Sequence, residues 1–575
     1  MTFAASRPTP ATLAGRLGVL CSRAWQSQAL TRVVSLALFA GLTAWVLMVF
    51  RDYGISNDEP VQHTYGQLLW QWYGSGFKDD RAFHYINLYL YGGLFDLIAA
   101  GLEPYVSLPV YDLRHLISAG FGLAGLVAVW RWTKLLAGEK TAILAVAILA
   151  VTGMYGGAMF THTKDVPFAA TMAWSVYLVT CVAAALPGLP SWRTVAGLGF
   201  AVGCALGLRV GGVFAIFYLG LTIVAAGVIH RDVRLVARLV LRLVPAGLIT
   251  LTVMALAWPW SVLPPTNLFE AMGAFSHFSF DLSTLINGKD VPIGEVPGFY
   301  MSEYLLIKLP DVALLGLIAA IPFGVLALLR ANAEDRRRAL VFLPLVLALA
   351  VPVVFTLAEH PPLYNGIRHF LFVIPPATIA AALGIAALWR AALRVSPGLG
   401  FATAAVAGSL FAFNAASFVA LHPYEYVGYN QLVGGLAGAD GRFEGDYWSA
   451  TIREAATELR EGVEAHPPAK PYKVAICAED GQVQPFLGPD LELTESWDDA
   501  DFLLTARNVG CDNLVPGLTY RTISRLGVPL AMVVDLRARH SPIVEPLPWD
   551  DDADPDTPAV SFHGPGSATV ARKVP

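Results

Sequence analysis

Two adjacent carboxylates, Asp58 and Glu59, lie in the segment Ser56-Asn57-Asp58-Glu59-Pro60, just after the first apolar run, and His63 follows them. A carboxylate in such a position can accept a proton from a hydroxyl as a general base, and a pair of carboxylates can also bind a cation. The same segment favours a turn, because Asn-Asp shortly before a proline is common turn chemistry. We therefore predict either proton transfer or a solvated turn at this position.

The segment Thr161-His162-Thr163-Lys164-Asp165-Val166-Pro167-Phe168 holds ionisable residues between two apolar runs. Lys164 can bind a phosphate as a compact positive charge, or its ammonium group can simply reach the membrane surface. Asp165 can line a substrate pocket, or its carboxylate can cap the helix that follows. The functional interpretation of both residues requires a polar cavity at the ends of the apolar runs.

Two arginines border apolar runs and are candidate phosphate ligands: Arg209, within the segment 207–212, and Arg368, within the segment 364–369. An unpaired arginine costs about 2.5–3.5 kcal/mol at the centre of a membrane helix, so such residues lie at the interface or have a partner. A guanidinium can hold a phosphate through two parallel N–H bonds. We expect the substrate pocket to be lined further by His63, Asp165, His277, Tyr364 and His369.

The composition decides which class of protein these residues belong to. Of 575 residues, 55% are hydrophobic and only 14% are charged, whereas soluble domains are about one quarter charged. An ordinary soluble enzyme and a disordered chain are therefore excluded. The formal net charge of −5 provides no basic surface for nucleic acid. The chain is predicted to be a polytopic membrane protein in contact with membrane lipids.

About eleven apolar runs approach the roughly 20 residues that are needed to cross a membrane. Arginine and lysine are concentrated in alternate connections, which predicts a cytosolic N-terminus and an extracytoplasmic C-terminus in the plasma (inner) membrane. The candidate residues then gather on the outer side, in or beside the connections. One of these, 259–310, is rich in aromatic rings that either form an interfacial belt or stack on sugars. The expected spans are 31–50, 113–136, 141–160, 166–186, 194–209, 211–229, 238–258, 311–329, 339–357, 369–390 and 399–421.

The stretch 194–229 is the least regular of the expected spans. Its length suits two short helices that are broken near Arg209, or one long tilted helix with a re-entrant piece. The whole chain divides into a cytosolic segment (1–30), a transmembrane domain (31–421), an extracytoplasmic domain (422–544) and an acidic, proline-rich tail that is expected to be disordered (545–575).

The extracytoplasmic domain is predicted to be a small α/β domain. Residues 450–464 have the apolar periodicity of an amphipathic helix, and three short apolar runs at 473–477, 502–505 and 530–534 indicate buried strands. Cys477 and Cys511 either form a disulfide in this domain or stay free thiols. The predicted fold class is thus an all-α polytopic membrane protein with a small α/β extracytoplasmic C-terminal domain.

Several of these motifs together resemble the GT-C glycosyltransferases. They are the acidic pair after the first span, the element Lys164-Asp165-Val166-Pro167-Phe168, the pair Arg368-His369 before Pro375-Pro376, and the segments 422–426 and 441–448. The resemblance is greatest to the bacterial branch of the dolichyl-phosphate-mannose–protein mannosyltransferase family, which is itself similar to lipid A aminoarabinose transferases. His84-Tyr85 is followed by Ile86-Asn87, where relatives often have His-Pro-Pro, so this element departs from the family.

The resemblance implies a GT-C-like fold and an inverting transfer of a sugar from a polyprenyl-phosphate donor to a hydroxyl of a protein, lipid or glycan acceptor. It implies that Asp58 is the general base, with Glu59 in an assisting role. Lys164, Arg209 and Arg368 are expected to contact the donor phosphate. We predict no metal site, although a divalent cation stays open as a cofactor.

Two other functions compete with sugar transfer. A transporter or flippase for a lipid-linked or small solute would place ionisable residues at mid-span and broken helices in matching halves. A membrane scaffold or sensor would present the domain 422–544, but it leaves the acidic pair without a role. The clustering of polar residues in the outer connections favours the transferase.

Overall fold

The computed structural model describes residues 27–276, 282–507 and 517–539 of the chain. In this part of the chain, nine helices are long and apolar enough to cross a membrane, so the protein is a multi-pass membrane protein. The predicted fold class is confirmed: a polytopic helical domain is followed by a small C-terminal domain with a sheet. The nine spans are Gln28–Val49, Val110–Ala137, Asp165–Ala184, Val210–His230, Val233–Ala257, Asp311–Leu329, Glu334–Glu359, Arg368–Val395 and Pro397–Ala420.

The α-helices are numbered here in chain order. They are α1 (Gln28–Val49), α2 (Glu59–Gly74), α3 (Leu94–Leu102), α4 (Val110–Ala137), α5 (Glu139–Ala150), α6 (Asp165–Ala184), α7 (Trp192–Leu206), α8 (Val213–His230), α9 (Val233–Ala257), α10 (Asn267–Ser276), α11 (Tyr300–Lys308), α12 (Asp311–Leu329), α13 (Ala333–Ala339), α14 (Leu343–Glu359), α15 (Ile374–Val395), α16 (Pro397–Ala420), α17 (Gly435–Ala439), α18 (Ile452–Ala465) and α19 (Asp480–Val483).

The expected span 141–160 is not one continuous helix. Helix α5 ends at Ala150, and a π-helical turn follows at Gly153–Gly157. A Cβ atom on Gly153 or Gly157 would collide with Glu425, so these glycines let the turn lie directly against the chain that follows the last span. The helical prediction was wrong here because close backbone approach, which apolar composition does not reveal, ended the helix.

The expected break near Arg209 is present. Helix α7 has only 15 residues and ends at Leu206, and α8 begins at Val213. Between them Arg209 has an extended backbone, with φ −150° and ψ 143°. The stretch 194–229 therefore forms two helices, and the arginine lies at the break between them.

Two helices, α6 and α15, lie at the centre of the membrane domain, and most of their residues are buried. Helix α15 packs against α12 at unusually short distance, because Gly316 and Gly384 face each other's helix without a side chain. Small residues at a helix crossing are typical of membrane proteins, where close backbone packing replaces the hydrophobic effect. The residues just before α6 and α15 are consequently held in fixed positions.

The connections 51–112 and 259–310 contain regular structure. Helices α2 and α3 lie in the first. The second holds α10, α11 and a hairpin of β1 (Ser283–Ile286) and β2 (Lys289–Pro292).

The C-terminal domain has a five-stranded sheet with the order β4-β3-β5-β7-β6. Strand β3 is parallel to β4 and β5, and β7 is antiparallel to β5 and β6. Helix α18 packs on the sheet through Ala455, Leu459 and Val463, so the predicted helix is confirmed. The strands are β3 (Tyr472–Cys477), β4 (Leu491–Leu493), β5 (Phe502–Ala506), β6 (Leu518–Arg525) and β7 (Val528–Asp535).

The three strands that the sequence predicted are β3, β5 and β7, the inner strands of the sheet. Strands β4 and β6 were missed, because β4 is short and the edge strand β6 is mostly polar. Cys477 is disulfide-bonded, and its expected partner Cys511 lies outside the described residues. The N-terminal residues 1–26 and the acidic tail 545–575 also lie outside them.

Candidate active site

Asp58 is held at the start of α2 by a tight turn. The backbone N–H and the hydroxyl of Ser56 both donate to Glu59 Oε2, at 2.8 and 3.1 Å, and the Glu59 N–H donates to the Ser56 carbonyl. Pro60 occupies the first turn of the helix, where its missing N–H costs nothing. This arrangement leaves 44% of the Asp58 side chain exposed.

Arg368 faces Asp58 from the start of another membrane span. Its Nη1 atom lies 3.5 Å from Asp58 Oδ2, while its own side chain is only 7% exposed. The guanidinium carbon is 4.7 Å from the ring centre of Tyr364 and 4.5 Å from that of Trp448. Among the described residues, Arg368 Nε has no hydrogen-bond partner. A buried cation with an unused N–H is suited to hold an anion.

Two further cations, Arg209 and Lys164, lie against the same aromatic ring, that of Tyr91. Arg209 donates to Asp165, the first residue of α6, and it lies beside the ring of Tyr91 at 5.9 Å. The ammonium of Lys164 is 4.5 Å from the centre of the same ring. Burial lowers the pKa of Lys164 to about 8, although the negative charges of Asp96 and Asp58 favour its charged form.

An apolar cavity of about 410 Å³ leads to these charges. Its polar wall includes Arg209, Tyr364 and His369, and the His369 ring packs edge-on against Tyr364 at 4.8 Å. Most of the remaining wall is apolar and several of its side chains are aromatic, so the cavity can accept an extended hydrocarbon chain whose polar end meets the cations. The phenylalanines that line it are Phe168, Phe214, Phe355, Phe370 and Phe372.

The structure thus gathers most of the predicted site residues. The charges of Asp58, Asp165 and Arg209 act on Lys164, and those of Asp58 and Asp165 also act on Arg368. Tyr364 and His369 complete the same cluster. We call these residues the charged cluster: Asp58, Lys164, Asp165, Arg209, Tyr364, Arg368 and His369.

Glu59, His63 and His277 are not part of this cluster. Glu59 is fully buried and turned away from Asp58, toward His115 at 3.2 Å and Arg114 at 3.9 Å. It holds the turn before α2. His63 lies instead 3.8 Å from Glu103. His277 lies outside the described residues.

The sequence interpretation missed the aromatic residues that support the cations. Tyr91 packs under Lys164 and Arg209, and Trp448 packs on Arg368. Trp448 Nε1 donates to His162 Nε2 at 2.9 Å, and burial lowers the pKa of His162 well below its usual value, so this imidazole is neutral and can accept the bond. In the sequence, the segment 441–448 contributes only to a family resemblance, which carries no information about its contacts.

A metal site would need several ligands in one place. Within the described ranges, no group of three or more His, Cys, Asp or Glu side chains is arranged to hold a metal ion. The negative charges of the cluster are instead accompanied by the cations Lys164, Arg209 and Arg368.

Comparisons with known proteins find structural similarity only. No family model and no curated protein matches this chain. ArnT from Cupriavidus metallidurans bound to undecaprenyl phosphate is 15% identical, with 87% of this chain and 97% of that chain covered and a TM-score of 0.46. An oligosaccharyltransferase from Archaeoglobus fulgidus is 12% identical, with 81% and 64% covered and a TM-score of 0.46. The arabinofuranosyltransferase AftD from Mycobacteria is 13% identical, with 76% and 35% covered and a TM-score of 0.35.

These likenesses, all below 25% identity and below a TM-score of 0.5, carry no argument about the activity of this chain. The roles of its own residues depend on their geometry alone.

Proposed function

We propose that this protein transfers a sugar from a polyprenyl-phosphate-linked donor to a hydroxyl acceptor at the outer face of the membrane. One observation carries the proposal: a largely apolar cavity with Arg209 in its wall lies next to the buried cation Arg368 and the partly exposed carboxylate of Asp58. The cavity suits a lipid chain, the cations Arg209 and Arg368 suit its phosphate, and Asp58 suits a general base.

In the proposed reaction the acceptor hydroxyl attacks the anomeric carbon from the side opposite to the phosphate. The new glycosidic C–O bond forms while the C–O bond to the phosphate breaks, and the hydroxyl proton passes to the Asp58 carboxylate. The polyprenyl phosphate leaves with its negative charge against Lys164, Arg209 and Arg368. A single displacement of this kind inverts the configuration of the sugar.

The chain's own residues can supply what this displacement needs. A sugar phosphate is already a fair leaving group, so positioning of the reactants and stabilisation of the departing charge contribute most. Asp165 bonds Arg209 and keeps its guanidinium at the cavity wall. Tyr364 and Trp448 both pack on the guanidinium of Arg368. Glu59 assists Asp58 indirectly, by fixing the turn that carries it.

The proposed orientation has a cytosolic N-terminus and an extracytoplasmic C-terminal domain in the plasma (inner) membrane. The span Arg368–Val395 supports it, because the charged cluster lies at one end and Arg390 and Arg394 lie at the other. Basic residues collect on the cytosolic side of membrane proteins. Labelling of single cysteines introduced at Arg394 and at Asp80 in intact cells tests the orientation. Only the cysteine at position 80 is expected to react with a membrane-impermeant reagent.

Mass spectrometry of envelope glycans tests the transfer itself. A strain that lacks this protein should lose one monosaccharide from its glycans, and the wild-type gene should restore it. The lost mass distinguishes a hexose from a pentose, and the envelope component that loses it identifies the class of acceptor. Sugar transfer is also measured in isolated membranes, once with EDTA and once with added Mg²⁺. This comparison decides whether a divalent cation takes part. Unchanged glycans in the deletion strain would contradict the proposed function.

A further inference from the structure

The side chain of Gln482 bonds two segments that support the charged cluster, one that leads to Asp58 and one that carries Trp448. It is fully buried, and its Nε2 atom donates two hydrogen bonds: to the Ile55 carbonyl at 2.7 Å and to the Trp448 carbonyl at 2.9 Å. Its Oε1 atom accepts from the Glu479 N–H at 3.1 Å. Every polar atom of this amide therefore has a partner.

The first bond fixes the segment that carries Asp58. Ile55 is buried and precedes Ser56, whose N–H and hydroxyl are held by Glu59. The short helix α19, on which Gln482 lies, also contacts the chain after Asp58, at Pro60. A Cβ atom added to Gly481 would lie only 3.0 Å from Pro60 Cγ. Helix α19 thus contacts the chain immediately before and immediately after the Asp58 turn.

The second bond fixes the residue on which Arg368 packs. The indole of Trp448 lies on the Arg368 guanidinium and donates to His162. Close to Trp448 in the chain, the backbone of Ala450 packs directly against Gly54, and a Cβ atom on Gly54 would collide with it. The Gln482 amide therefore ties the backbone of the Asp58 segment to the backbone of the Trp448 segment.

We propose that Gln482 is a positioning residue, which sets the location of Asp58 relative to the phosphate-binding Arg368, so that the C-terminal domain completes the active site. This inference depends on the proposed sugar transfer. A buried amide with fixed donors suits this role, because small displacements of reacting groups can cost about 100-fold in rate. The phosphate itself remains held by Lys164, Arg209 and Arg368, which Gln482 does not contact.

The test uses full-length Gln482→Met, which keeps the length of the side chain and removes both N–H donors. Transfer is measured as restored glycan per unit of membrane protein in the deletion strain. Binding of undecaprenyl phosphate is measured on the purified protein. We expect transfer to fall about 10- to 100-fold, while the Kd for undecaprenyl phosphate changes less than about threefold. A merely structural role would weaken both together.

The matched control is Gln484→Met, two residues further on, where the side chain is exposed. It should behave as the wild type. Gly481→Ala is a second variant that suits a helix and pushes only on Pro60, and it should lower transfer several-fold with the Kd retained. Wild-type transfer by both Gln482→Met and Gly481→Ala would overturn the inference.

Asp58→Asn separates this inference from the proposed function. If Asp58→Asn is inactive while Gln482→Met and Gly481→Ala are both fully active, only the positioning role is wrong. If Asp58→Asn is itself fully active, Asp58 is not the general base. The positioning role of Gln482 toward Asp58 is then overturned as well.

Discussion

The guanidinium of Arg368 lies 3.5 Å from the carboxylate of Asp58, and each residue stands at the start of a different helical segment. Arg368 is buried, whereas Asp58 is partly open. The two side chains are therefore close enough to face two groups of one substrate, a phosphate at Arg368 and a hydroxyl at Asp58.

Asp58→Asn should abolish transfer. The amide is nearly the same size as the carboxylate but cannot take the hydroxyl proton, and general-base catalysis is worth about 10²–10⁴-fold. Restored glycan in the deletion strain should fall by that factor, while the amount of protein in the membrane stays constant. Asp80→Asn is the matched control, because Asp80 is an exposed carboxylate in the same outer connection. Its activity should equal that of the wild type.

Arg368→Ala should weaken binding of undecaprenyl phosphate to the purified protein. A hydrogen bond to a charged group contributes about 1.5–3 kcal/mol, which corresponds to a roughly 10- to 150-fold increase in Kd. Arg390→Ala provides the control, since this arginine lies at the other end of the same membrane span and donates to the Ala386 carbonyl of its own helix. A wild-type Kd for Arg368→Ala would rule out its phosphate role.

Lys164 should make phosphate binding depend on pH. Because burial lowers its pKa to about 8, its positive charge is present below that pH and lost above it. In the free protein the charged fraction falls from roughly 90% at pH 7 to roughly 10% at pH 9. A phosphate monoester is already fully ionised in the upper part of this range.

The Kd for undecaprenyl phosphate should therefore rise about three- to tenfold between pH 7.5 and 9. Lys164→Arg keeps its charge throughout and should show a flat profile. A rise of equal size in Lys164→Arg would assign the pH dependence to another group.

The outer segments could be linked to one site from the sequence because the positive-inside rule puts them on one side of the membrane. Asp58, Lys164, Arg209 and Arg368 do lie together, and the break at Arg209 is where the sequence suggested it. Their roles in transfer stay predictions until the variants are measured.

The residues that hold the charged cluster in place could not be predicted from the sequence, because they act through contacts between distant segments. From the sequence, Glu59 is expected to act beside Asp58. In the structure its side chain instead points inward, toward Arg114 near the start of an apolar span. Trp448 and Gln482 lie in the C-terminal domain, and nothing in their local sequence indicates that they contact Arg368 or the Asp58 segment. The local sequence therefore predicts on which side of the membrane a residue lies, but it does not predict which distant residue it contacts.

A larger side chain in the apolar cavity should weaken the binding of lipid phosphates that have long chains. Val213 lines the cavity, and Val213→Trp adds a ring to a wall that already holds several phenylalanines. We expect the Kd for undecaprenyl phosphate to rise about tenfold, because overpacking displaces the bound chain. Geranyl phosphate, which has a much shorter chain, should bind unchanged. Val224→Trp is the control, since this residue is exposed on the same helix α8. Equal losses for both lipids would contradict a chain-binding cavity.

His422 should make the junction between the last span and the C-terminal domain more stable at low pH. Its Nδ1 lies 2.8 Å from Glu425 and its Nε2 lies 3.1 Å from Asp52, with Tyr53 packed on the ring and Arg525 bonded to the His422 carbonyl. Burial opposes protonation, but the two carboxylates outweigh it and raise the pKa of His422 above its ordinary value of 6.5.

Because the folded pKa is raised, the stabilising contribution of His422 is complete below about pH 6.5 and is lost as the pH rises through the folded value. The melting midpoint of purified His422→Gln should lie about 1–3 °C below that of the wild type at pH 5.5, and the difference should disappear near pH 9. His466→Gln is the control, because this histidine lies at the exposed end of helix α18. A deficit for His422→Gln that is the same at both pH values would mean that shape, and not the charge of the imidazolium, stabilises this junction.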